Sequence, residues 1–182
     1  PNIEKIIIRF LKDYCLEKKL SFAISTRVLP EDLDGKQKYE KILGKFGWNY
    51  YPRSRPDVTG DYEHYSKVMQ SNYIVSIDST LGYEALSRKK KVAFFSLGSY
   101  SQEWCRTNYI TNSKQKKYYI PSKFGYPLNL GREGDFWLSD YKEDKMRKIL
   151  NFLQEITNDN WINLLDNLGL EKIIKFDLYN KT

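Results

Sequence analysis

The chain has 182 residues, 41% of them apolar, enough for one substantial core or a compact α/β unit with appendages. Its 30 Lys and Arg against 23 Asp and Glu leave a net charge of +7 and a pI near 9.2, which favours anionic partners: nucleotide phosphates, acidic glycans or anionic lipid headgroups. No apolar run approaches the roughly 20 residues of a membrane span, no signal-peptide pattern opens the chain, and Cys15 and Cys105 make neither a disulfide framework nor a metal-site spacing.

At the start, Ile3, Ile6, Ile7, Phe10, Leu11 and Tyr14 recur at helical spacing opposite Glu4, Lys5, Arg9, Lys12 and Asp13, which predicts a helix that needs a surface to bury against. Residues 20–25 follow as a first strand, with Ser25, Thr26 and Arg27 at its carboxyl end. Residues 36–43 are helical in pattern and end near Gly44 and Gly47, which readily take the left-handed cap conformation. Phe46, Trp48, Tyr50 and Tyr51 predict a second strand over 46–51, and Pro52-Arg53-Ser54-Arg55-Pro56 then forms a stiff basic loop. Arg53 and Arg55 suit a phosphate or carboxylate through paired hydrogen bonds, although two solvated arginines would equally keep a loop soluble. Tyr62, Tyr65 and Val68 or Met69 mark a third helix capped by Thr59 or Asp61, with His64, the sole histidine, on its polar side as a surface residue or a substrate contact.

The segment 73–96 is the most informative. Ile74, Val75 and Ile77 are β-branched within a short apolar run, and Val92, Ala93, Phe94 and Phe95 form another, so both fit strands covered on two faces. Roughly fourteen residues lie between them, sufficient for a crossover between parallel strands. Ser79 or Thr80 caps the intervening helix, and Leu81, Ala85 and Leu86 supply its buried stripe. Gly82 sits where helix propensity disfavours it by about 1 kcal/mol, which points to close approach of a ligand or of neighbouring backbone, or to plain packing. The helix start, flanked by Asp78, Ser79 and Thr80, suits a phosphate, because free amides and the helix dipole both attract negative charge. With Thr80 as the cap, Glu84 lies one position past the capping-box carboxylate, so it is available to accept hydrogen bonds from a pair of ribose hydroxyls.

After Ser96 the pattern loosens. Residues 97–111 suit a long loop or a short irregular helix, 118–120 a strand, and 121–134 a Pro- and Gly-rich loop, with Phe136, Trp137 and Leu138 packing back. Gly131-Arg132-Glu133-Gly134 lacks the lysine and spacing of a nucleoside-triphosphate loop. Met146, Ile149, Leu150, Leu153 and Ile156 form a helical stripe, and Asn158 or Asp159 caps a further helix carrying Trp161, Leu164, Leu165 and Leu168.

The run Ser-Ile-Asp-Ser-Thr-Leu-Gly-Tyr-Glu-Ala-Leu over 76–86, followed by a Lys-rich turn and Val-Ala-Phe-Phe-Ser, resembles the carboxy-terminal, nucleotide-sugar-binding half of GT-B fold glycosyltransferases. It is most similar to the group that builds bacterial lipopolysaccharide or capsule. The resemblance implies an α/β fold, a Rossmann-like parallel sheet with helices on both faces, followed by a helical C-terminus. One sheet would hold strands near 20–25, 46–51, 73–77 and 91–96. The implied organisation is a packing or linker helix over 1–19, a donor-binding domain over 20–156 and a helical extension over 157–182.

The resemblance further implies a nucleotide-sugar donor as substrate, with no separate cofactor and no metal. Its contacts would come from Arg27, Arg53, Arg55, Asp78, Ser79, Thr80, Gly82 and Glu84, the Ser/Thr turn on phosphate and Glu84 on ribose. Expected partners are a glycan or lipid-linked acceptor, a missing N-terminal acceptor domain carrying the catalytic base, and peripheral contact with an anionic membrane from the cytoplasm. A teichoic-acid-type glycerophosphotransferase and a non-enzymatic basic binding module are the alternatives. The 15 tyrosines and 4 tryptophans could stack on bases, but no RNA-binding signature accompanies them, so nucleic acid is not an expected partner.

Overall fold

The computed structural model of the protein describes residues 3–26, 29, 32–53, 63–77, 79–95, 124, 130–139 and 141–170. Contacts divide the chain into two units, Pro1–Ser71 and Asn72–Thr182.

In the first unit, helix α1 (Ile3–Glu17) packs on helix α2 (Leu33–Leu43). The α1 stripe is wider than its spacing suggests: Ile8 is buried together with Ile7, Phe10, Leu11 and Tyr14. Ile8 joins Tyr39, Ile42 and Leu43 in a core against which Phe22, Ile24, Trp48 and Tyr50 pack. Each such aliphatic side chain contributes roughly 1.5–3 kcal/mol by leaving water. Asp32 caps α2, its side chain accepting from the Gly35 N–H at 3.3 Å. At the other end the Gly44 N–H donates to the Glu40 carbonyl.

Strands β1 (Ala23–Ser25) and β2 (Asn49–Tyr51) pair in parallel, with Ile24 opposite Tyr50. The strand expected over 46–51 begins only at 49, because Gly44 (φ 77°) and Gly47 (φ 81°) bend 44–47 into a turn that leaves Phe46 84% exposed. Lys12 holds this turn by donating to the carbonyls of Leu43 and Phe46. Helix α3 (Glu63–Gln70) packs on β2; its expected caps, Thr59 and Asp61, and the side chain of His64 lie outside the described residues.

The second unit carries a four-stranded sheet of order β3-β4-β6-β5, from β3 (Tyr73–Ser76), β4 (Lys91–Phe95), β5 (Glu133–Gly134) and β6 (Trp137–Leu138). β3, β4 and β6 run parallel, and β5 is antiparallel to β6. Helix α4 (Thr80–Ser87) packs on β3 and β4, and α5 (Glu143–Glu155) on β4 and β6. The architecture is therefore α/β, with parallel sheets flanked by helices and a helical C-terminal part.

Three expectations change. The strands form two sheets among the described residues, because β1 and β2 pair with each other while the next strand beside β4 is β6. Residues 136–138 are not merely apolar packing: Trp137 and Leu138 pair with Phe94 and Phe95. β3 is only half-buried at Tyr73, Ile74 and Val75, whereas Val92 and Ala93 of β4, flanked by strands on both sides, are fully buried. The strand expected over 118–120 and the loop over 97–111 lie outside the described residues.

Helix α6 (Asn158–Asn167) is capped by Thr157, whose hydroxyl accepts from the Asn160 N–H, and not by Asn158 or Asp159. It docks through Trp161, 1% exposed, whose indole N–H donates to the carbonyls of Lys89 and Lys90 at 3.1 Å each, while Lys89 pairs with Asp166.

Candidate functional site

The candidate site begins where β3 ends. Ser79, extended at φ −108° and ψ 134°, caps α4, and its hydroxyl accepts from the Leu81 N–H at 3.3 Å. Thr80 is therefore the first helical residue and not the cap. The turn is braced from the strand: the Ser76 hydroxyl donates to the Ser79 carbonyl at 3.1 Å, and the Gly82 N–H donates to the same oxygen at 3.2 Å.

Gly82 is buried, and a Cβ there would stand 2.3 Å from both Cβ and Oγ of Ser76 and 3.1 Å from Phe94 Cε1. Its missing side chain lets α4 lie directly on β3 and β4, the packing explanation among those the sequence left open.

Thr80 and Glu84 are both exposed and lie four residues apart, hence on one face of the helix that follows β3. The Glu84 carbonyl serves the helix C-terminus by accepting from the Ser87 hydroxyl and the Arg88 N–H. Its carboxylate has no hydrogen-bond or ion-pair partner among the described residues. Beside it Tyr83 packs against Phe94 at 4.7 Å and stacks on Phe124 at 6.0 Å, and Phe124 stacks in turn on Trp137 at 4.8 Å. This aromatic column packs the second turn of α4 onto the sheet. Nothing in the sequence pattern singled out Phe124, because its partners come from three separate segments.

The structure thus gathers Ser79, Thr80, Gly82 and Glu84 on one short helix and its cap, as a cap, an exposed residue, a packing glycine and a carboxylate unpartnered among the described residues. Arg53 is exposed just beyond β2 and Pro52, in the first unit. Arg27, Arg55 and Asp78 lie outside the described residues. Among the described residues no helix is long and apolar enough to cross a membrane.

A protein-family model described as "putative O-antigen biosynthesis protein" matches residues 2–182. No curated protein and no solved structure matches the chain. Matched from its second residue to its last, the chain belongs to this family, which associates it with the making of surface carbohydrate.

Proposed function

We propose that the unit Asn72–Thr182 binds the nucleotide-sugar donor of a glycosyltransferase in O-antigen biosynthesis, at the start of α4. The observation that carries this reading is the exposed Thr80 and Glu84 pair on the helix that follows a parallel strand, with the Glu84 carboxylate unpartnered among the described residues. Ligands of open α/β sheets bind at the carboxyl edge of the strands. The helix start, capped by Ser79, supplies its dipole for a phosphate, the Leu81 and Gly82 amides being turned to Ser79. Glu84, one turn on, accepts hydrogen bonds from the two ribose hydroxyls. Asp78 enters the proposal on its residue chemistry alone, as a further ribose contact. Transfer to a glycan or lipid-linked acceptor would draw its general base from outside these residues.

Calorimetric titration with uridine diphosphate, cytidine diphosphate and cytidine monophosphate tests this. Glu84→Ala is expected to weaken binding by roughly 1.5–3 kcal/mol, the range for a hydrogen bond to a charged group, with the melting temperature almost unchanged. Wild-type affinity in that variant would remove the ribose contact. Absence of binding by all three nucleotides would remove the donor site.

A further inference from the structure

A polar recess lies within the unit Pro1–Ser71. Lys36 of α2, Lys45 in the turn that follows, Trp48, and Asn49 and Tyr50 of β2 line an open volume of about 230 Å3. Its aromatic wall is pre-set. The Trp48 indole N–H donates to the Gly44 carbonyl at 2.8 Å, and the ring meets Tyr39 and Tyr50 edge-on at 6.4 and 6.2 Å, which holds it in one orientation.

The cations are available. Lys45 is exposed and has no acidic partner among the described residues, and exposed Lys36 makes an i,i+4 ion pair with Glu40 at 3.7 Å, a solvated contact weak enough to exchange for another anion. Asn49 is exposed as well. The Asn49 N–H donates to the Phe22 carbonyl, and the Tyr51 carbonyl accepts from the Thr26 N–H, so these two residues direct their backbone groups to β1. Successive residues of a strand direct theirs to opposite edges, so the N–H and C=O of Tyr50 point away from β1.

Size, charge and surface together select a ligand class. The volume is below the roughly 300–1,000 Å3 of pockets for drug-sized molecules, which suits one sugar ring and not a whole nucleotide sugar. Two neighbouring ammonium groups favour an anion. An immobilised indole suits the apolar face of a ring, and the Asn49 amide suits hydroxyls. We propose that this recess binds an anionic monosaccharide unit, a sugar bearing a carboxylate or a phosphate, with the anion on Lys36 and Lys45 and the ring against Trp48. The site shares no residue with the start of α4, so it stands or falls independently of donor binding there.

Amide chemical shifts of the full chain, labelled with nitrogen-15, test the proposal during titration with glucuronate, glucose 1-phosphate, glucose and inorganic phosphate. One or both anionic sugars should shift the amides of residues 45 and 48–50 and the Trp48 indole N–H to saturation, and their relative strength tells a carboxylate ligand from a phosphate one. Lys36→Ala combined with Lys45→Ala should weaken that binding roughly threefold to tenfold, the size expected of two exposed ion pairs, and leave uridine diphosphate binding as it was. Glucose binding as well as the anionic sugars, inorganic phosphate reproducing the same shifts, an unaffected double variant, or no shift with any of the four would each overturn it.

Discussion

At Gly82 a single absent side chain ties a helix to a sheet. A methyl group there would overlap the Ser76 side chain at 2.3 Å, and both residues sit on backbone held by hydrogen bonds, so neither gives way easily. Gly82→Ala should therefore destabilise the second unit by about 1–3 kcal/mol, the cost of overpacking, despite alanine's better helix propensity; a chemical-denaturation midpoint reads this directly. Tyr39 makes a different prediction. Burial, followed by the nearby Glu4 carboxylate and Tyr50, pushes its phenol from 10.0 up to about 12. Between these values the unfolded chain has lost a proton that the folded protein keeps, so stability falls as pH rises through that window. Tyr39→Phe should flatten that part of the stability profile in urea titrations across the same pH range. Helix propensity was enough to mark Gly82 as anomalous. The reason for it was not legible, because Ser76 and Phe94 reach it only once β3 and β4 are side by side.

At the scale of elements, the segment between α2 and β2 shows how local chemistry stops one element and delays the next. Gly44 has φ 77° and ψ 178°, a backbone region essentially confined to glycine, and no heavy atom lies within 4 Å of where its Cβ would be. Gly44→Ala should thus cost about 1–3 kcal/mol through backbone strain alone, with no clash to relieve, and thermal melts should show a loss that no neighbouring substitution rescues. The helices were legible in the sequence where their apolar stripes were long: Met146, Ile149, Leu150 and Leu153 of α5 are all buried. Ends were less legible. Phe46 suited a strand by residue type yet projects from the turn, and Thr157 displaced its two neighbours as the cap of α6, since capping depends on backbone direction as much as on residue identity. The candidate site divides in the same way. Ser79, Thr80 and Glu84 were identifiable from spacing, but which of the first two is the cap required the dihedral angles of Ser79.

Across the molecule, the C-terminal helix is integral to the second unit. Trp161 is 1% exposed, packs edge-on against Phe136 at 5.0 Å and donates to the turn before β4. Trp161→Ala should cost about 3–5 kcal/mol and expose the core to which Phe136 belongs; hydrogen exchange should show β4 and α6 losing protection together. Separate loss in α6 alone would show instead that the helix is an appendage. The sequence by itself determined the order of helices and strands from α1 to β4 and the two helices after β6, the parallel crossover from β3 to β4 and the placement of a hydroxyl-rich turn at the start of α4, with a carboxylate one turn on. Those features follow from apolar periodicity and capping chemistry within a few residues of chain. Only the tertiary structure decided that β1 pairs with β2, that β6 lies beside β4, and that Phe124 stacks between Tyr83 and Trp137. Such neighbours are chosen by packing between segments far apart in the chain, which a local pattern of apolar and polar residues does not encode.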